Sequence, residues 1–270
     1  MNNLKFPSDL CLSPDGGKLF IVDVFSPVGS HGRNYIVVLN ANDGTHLQTI
    51  GMNQLDQPIS ICVSHDGLEL FVMDKEKIKV FDTSNGKLLR TMKCEKDAYD
   101  VNRYAYDICI SHDDSKLFYV GQKNRREIFV VNSNDGTHIR TLDTLGYKLQ
   151  SICISQDDKL FCVCEDGDIR VMDLFGTHLR TIDVSRNLGQ AHPIKIRVSQ
   201  DRLFALCRQQ NFGYLFEHSY AEFRQDDGEH VQTQVINNKK NKQTFNLCVS
   251  QNRELFVSYP FEKLIAVLQM

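Results

Sequence analysis

No stretch of this sequence reads as a long helix. No segment keeps an apolar period of 3.6 residues over helix length, and no run approaches the roughly 18 consecutive apolar residues that a membrane span requires. The opening Met1-Asn2-Asn3-Leu4-Lys5-Phe6-Pro7 lacks the apolar core of a secretory leader. No Asn-x-Ser/Thr acceptor occurs among the many asparagines. A soluble, cytoplasmic chain with no membrane contact is therefore the expectation. Charge of either sign is also not in large excess. At −3 over 270 residues, with a pI near 6.3, wholesale binding to nucleic acid or to an anionic membrane is not implied, although a local basic patch is compatible with that balance. Catalytic signatures are missing as well: there is no Gly-rich phosphate loop, no His-Glu-x-x-His and no Gly-x-Ser-x-Gly. No catalytic residue, metal ligand or cofactor is expected.

What the chain does contain is one hairpin written six times. Its clearest copy runs from Ile59 to Asp74, an apolar run, an Asp66-Gly67 turn and a second apolar run. Cys11, Cys62, Cys109, Cys153, Arg197 and Cys248 fall in register, and Ser13, Ser64, Ser111, Ser155, Ser199 and Ser250 follow two residues later. Phe20, Phe71, Phe118, Phe161, Phe204 and Phe256 recur in the second run. A third run follows in each unit, as in Ile78-Lys-Val-Phe-Asp82. Five units add a tight turn at Gly44, Gly86, Gly136, Gly176 or Gly228 and a fourth run. Four antiparallel strands repeated six times predict an all-β, six-bladed β-propeller that is one domain over 1–270, with blades at about 7–50, 58–92, 105–142, 149–182, 193–235 and 244–270. The sixth unit ends after its third strand, so residues 1–6, with Leu4 and Phe6 in alternation, are expected to pair as its outer strand and close the ring.

The pattern Pro-x-x-Ile-x-Val-Ser-x-Asp-Gly-x-x-Leu-Phe-Val-x-Asp, followed by Ile-x-Val-Phe-Asp-x-x-Asn-Gly, is seen best from Pro58 to Gly86. It resembles the NHL-repeat and related YVTN-type propellers over essentially the whole chain. That resemblance implies protein binding, single-stranded RNA binding or, less often, catalysis, because such folds host unrelated functions. Six-bladed relatives that are lyases or lactonases hold a metal with channel-facing histidines or acids, and the anchor positions here offer no such histidine. A link to ubiquitin ligases is also implied, but the chain has no Cys/His spacing for a RING or B-box, so such a role would need a separate partner.

The nine cysteines suit a reducing compartment: five sit singly at the same repeat position, where a small buried thiol packs as a hydrophobe. His46, His138, His178 and His230 share one position on different blades and cannot form one site. Asp113-Asp114, Asp157-Asp158 and Asp226-Asp227 occupy turn slots, where Asp bonds its own backbone. Two residues before the anchor lie Asp9, Ser60, Asp107, Ser151, Lys195 and Asn246, expected to ring one mouth of the channel. Lys195 and Arg197 either meet channel water, pair with Asp9 or Asp107, or form an anion or peptide-terminus site. The longer links share the opposite face from the short acidic turns. They carry Arg33, Tyr99, Arg103, Tyr104, Lys123, Arg125, Arg126, Lys239, Lys240 and Lys242. Basic groups interleaved with aromatics suit an acidic protein or peptide, or single-stranded RNA. The sequence thus points to a monomeric, non-catalytic interaction scaffold, with the RNA-binding module second and a metal-dependent lyase or lactonase third.

Overall fold

The structure, a computed structural model, describes residues 4–24, 34–94, 107–121, 125–189, 191–210, 216–236, 246–250, 254–259 and 264–269. Its strands fall into six antiparallel sheets, each in simple meander order. Blade one is β1 (Pro7–Leu12), β2 (Lys18–Asp23), β3 (Asn34–Asn40) and β4 (His46–Leu55), and blade two is β5 (Pro58–Val63), β6 (Glu69–Asp74), β7 (Lys77–Asp82) and β8 (Leu88–Lys93). Blade three is β9 (Ile108–Ile110), β10 (Lys116–Val120), β11 (Glu127–Asn132) and β12 (His138–Asp143). Blade four is β13 (Leu149–Ile154), β14 (Lys159–Cys164), β15 (Ile169–Asp173) and β16 (His178–Ile182). A single helical turn, α1 (Ser185–Leu188), leads to blade five: β17 (His192–Ser199), β18 (Arg202–Gln210), β19 (Phe216–Arg224) and β20 (His230–Val235). Blade six is β21 (Asn246–Val249), β22 (Glu254–Tyr259) and β23 (Leu264–Gln269). The first strand of each blade touches that of the next, and β1 touches β21, so the ring closes around a central axis.

Register follows the repeat. Each anchor lies opposite the second-strand phenylalanine, as in Cys62↔Phe71 and Arg197↔Phe204. All six phenylalanines are buried, each worth about 1.5–3 kcal/mol by removal from water. The apolar seams lie between blades. Phe71, Val80 and Met92 of blade two meet Ile108, Ile110 and Leu117 of blade three, and the other seams repeat the arrangement. Local locks explain the hairpins. The Ser13, Ser64, Ser111 and Ser155 hydroxyls donate to Asp15, Asp66, Asp113 and Asp157 at 2.5–2.6 Å and accept the amide of the returning strand at 2.9–3.0 Å. The four repeated histidines each lie 2.7–3.0 Å from the threonine three residues on, which accounts for their recurrence without a site.

Closure of the last blade differs from the expected strand pairing. Leu4–Phe6 form no strand. The Lys5 and Phe6 amides donate to the Asp23 carboxylate at 2.7–2.9 Å, just as the Asp56 and Gln57 amides donate to Asp74 at 2.6–3.1 Å. These residues therefore occupy the link between blades rather than an outer strand, and residues 1–3 lie outside the described residues. Closure instead comes from an apolar seam in which Leu4, Leu10 and Ile21 pack against Cys248, Phe256 and Ile265. Among the described residues blade six has three strands, and its Val267 is 39% exposed, whereas the matching Val38, Val80, Val130 and Val171 are at most 1% exposed.

Candidate functional site

The innermost strands carry a short period-two code down the channel. A register shift, the mark of a β-bulge, falls just before Asp9, Ser60, Ser151 and Lys195, and bulges re-aim the side chains beside them. The result is a buried polar layer. The Lys195 ammonium donates to Asp107 Oδ1 at 2.8 Å and lies 3.8 Å from Asp9 Oδ1. The Arg197 guanidinium reaches Asp107 Oδ2 and Asp9 Oδ1, each at 3.4 Å. Ser60 and Ser151 donate to Asp107 at 3.0 and 2.6 Å, and Asn246 donates to Asp9. Backbone amides of Ile61 and Ile152 complete the carboxylates at 2.9 and 3.0 Å. Every blade contributes a group, blade five contributes two, and the two acids, Asp9 and Asp107, balance its two bases, Lys195 and Arg197.

The ring expected at a channel mouth is thus a plug across the channel, with Asp9, Ser60, Asp107, Ser151, Lys195 and Asn246 all buried. Of the roles open to Lys195 and Arg197, the structure shows pairing with both Asp9 and Asp107. Burial works to raise the Asp107 pKa, but Lys195, Arg197 and the Ser151 hydroxyl overcome it and hold the carboxyl below its usual range. Burial opposes the Arg197 charge too, yet Asp107 and Asp9 raise its pKa further.

One residue pair along, the next layer consists of the five anchor thiols and Arg197. Above it lies a cavity of about 500 Å³. Leu12, Val63, Ile110, Ile154, Val198 and Val249 contribute to its wall, and exposed Pro14, His65, Gln156 and Gln200 of the hairpin turns frame its opening. The cavity is blind, floored by the Arg197 layer and sealed by the plug beneath. Its size falls in the range of small-ligand and peptide pockets. Burial, and secondarily the Asp9 carboxylate, pushes the Cys11 thiol up, and burial does the same for Cys62, Cys109, Cys153 and Cys248. Neutral thiols are poor nucleophiles and poor metal ligands. Among the described residues no three His, Cys, Asp or Glu side chains converge as a metal site. All nine cysteines are free. All nine should label with a maleimide in guanidinium without reductant, and the five channel thiols should label slower by roughly tenfold or more in the native protein; two or more unlabelled pairs would show disulfides instead.

Of the long-loop residues, Arg33, Tyr99, Arg103, Tyr104, Lys123, Lys239, Lys240 and Lys242 lie outside the described residues. Arg125 approaches Glu165 at 3.3 Å, which Lys148 shares at 3.4 Å, so it is tied across blades three and four. Arg126 is exposed, and its carbonyl accepts from Thr144. Loop composition does not point to the cavity, although the sequence holds its signal: period two places the anchor cysteines and the serines after them on the channel wall.

Fold and site together define a six-bladed β-propeller with a channel blocked by an ion-paired plug and a blind cavity at the hairpin end. No family model matches the chain, and no curated protein matches it.

Proposed function

We propose that this propeller is a non-catalytic scaffold that binds a protein partner through an extended peptide segment inserted in the hairpin-end cavity. The observation that supports this reading is the cavity itself, about 500 Å³, blind, and lined by neutral thiols, aliphatic side chains and hairpin-turn residues, with Arg197 at its floor and His65, held by Asp114, at its opening. Such a lining offers shape and a few polar contacts rather than an activated nucleophile. The resemblance of its repeats to NHL-type propellers accords with a binding role, and nine free thiols accord with a cytoplasmic, reducing setting. The site favoured here lies on the opposite face from the long loops. Acidic hairpin turns surround it, which disfavours RNA at that end.

The test is capture on immobilised protein, with nuclease treatment, comparing the native chain with Gln156→Trp. Gln156 is exposed at the cavity opening, so the substitution should obstruct the cavity while changing stability by about 0.5 kcal/mol or less. Nuclease-insensitive partners retained by the native chain and lost with Gln156→Trp are the expected result. Capture that disappears with nuclease, or that Gln156→Trp leaves unchanged, would overturn the reading.

A further inference from the structure

Charge in and around the cavity is arranged in order along the channel axis. Among the described residues lining it, Arg197 is the one with a permanent charge, and it lies at the floor. Its NH1 group donates to Asp107 and to the Ile196 carbonyl, and NH2 donates once to Asp9. That leaves Nε and one NH2 hydrogen of the five guanidinium donors with capacity for a further acceptor. The carboxylates that balance Arg197 belong to the plug beneath and do not line the cavity, so the positive end of this arrangement faces upward. The wall is uncharged. At the opening, among the described residues, the sign reverses: the hairpin turns carry Asp15, Asp66, Asp113, Asp157, Asp158 and Asp201, with Asp114 held by His65 at 3.0 Å, against Lys18, Lys116, Lys159 and Arg202.

Depth is set by the strands. From the layer of Cys11 to the turn at Pro14 is three residues, about 10 Å at roughly 3.3 Å per residue, which is room for about three residues of an extended chain. A complementary occupant has an anion at its tip, about three uncharged residues behind it, and a cation at the opening.

We propose that the cavity receives the free C-terminus of its partner. The terminal carboxylate lies on the Arg197 guanidinium, three small uncharged residues fill the thiol-lined sleeve, and a lysine or arginine at the fourth position from the end sits among the hairpin aspartates. Planar donors of guanidinium suit a carboxylate, and the sign reversal along the axis fixes the direction of insertion, carboxyl end first. This deepens the peptide-binding reading and rests on it. A small organic acid offers the same carboxylate without the basic residue.

Replacing Arg197 would confound binding with stability, because it also balances Asp9 and Asp107, so the test varies the ligand. The probe is a fluorescein-labelled hexapeptide pool, Gly-Gly-Arg followed by three positions randomised over Gly, Ala, Ser and Val. It is prepared as the free acid, as the C-terminal amide, and as the free acid with Glu in place of Arg, with hexanoate as an unlabelled competitor. Fluorescence anisotropy should show saturable binding of the free acid, weakened by roughly tenfold or more in the amide and in the Glu pool, and lost in Gln156→Trp. Equal binding of acid and amide overturns the carboxylate anchor while the peptide reading stands. Equal binding of the Arg and Glu pools removes the basic residue from the proposal. No binding of any pool overturns both, and hexanoate binding alone, read by calorimetric titration, identifies a small-acid site.

Discussion

Asp107→Asn is expected to destabilise the native protein by about 3–5 kcal/mol, the cost of leaving a buried charge without its partner. Asp107 takes the 2.8 Å bond from Lys195, and without it that ammonium keeps only Asp9, 3.8 Å away. Arg197 loses one of its two carboxylates at the same time. The asparagine amide preserves volume, but its one carbonyl oxygen cannot accept from every group that the two carboxylate oxygens take, the Ile108 and Ile152 amides among them, so the loss reads charge and lost acceptors rather than volume. Thermal unfolding should drop by on the order of 10 °C for a chain of this size. Asp107→Asn with Lys195→Met removes one charge of each sign, leaves Asp9 facing Arg197, and should recover a large part of the loss. An unchanged melting temperature for the single variant, or strictly additive losses in the pair, would mean that the plug carries no net coupling.

Acid sensitivity follows from the same residue. The folded Asp107 pKa lies below the ordinary value of about 3.9. Its contribution is therefore fully present above about pH 4 and is lost as pH falls through the folded value, because below both the carboxyl is protonated whether or not the chain is folded. Unfolding free energy measured from pH 6 down to pH 2 should fall less steeply in Asp107→Asn than in the native chain. Parallel curves would assign the acid limb to other carboxylates.

Much of this was legible in the residues. Period-two runs, the turn glycines and the sixfold Leu-Phe pair carried the all-β ring, because each repeat position answers one steric demand in every blade. The pairing of Lys195 and Arg197 with Asp9 and Asp107 is one of three outcomes the sequence leaves open, since a charge at an innermost position can also meet channel water or an anion. What the sequence withheld was depth. Nothing in the string states that the bulges before Asp9, Ser60, Ser151 and Lys195 turn those groups into a sealed layer, and so the residues alone place the ring at a mouth. Nor does it reveal that Leu4–Phe6 answer to Asp23 as Asp56 and Gln57 answer to Asp74. Loop composition drew attention to exposed cations, whereas the cavity is built from cysteine, valine and isoleucine, which read from sequence as core.

The turn glycines hold a second role that the repeat alone conceals, and it supports the other large prediction. Gly136 joins the third and fourth strands of blade three at φ +76°, and a Cβ placed there would lie 2.7 Å from Cβ of Met92, the inward residue of blade two's outer strand. Gly16 has nearly the same conformation, φ +72°, but a Cβ there would meet nothing within 4 Å. Alanine at either position carries the left-handed backbone penalty of about 1 kcal/mol. Only at Gly136 does it also force blades two and three apart at Met92, whose neighbours Ile108 and Leu117 are close-packed, and overpacking of that kind adds about 1–3 kcal/mol. Gly136→Ala should therefore cost about 2–4 kcal/mol in urea or thermal unfolding, and Gly16→Ala about 1 kcal/mol. Because the two variants share chemistry and backbone conformation, their difference isolates the contact between blades. Equal losses would show that the turn conformation alone accounts for the glycine and that blade two does not bear on it.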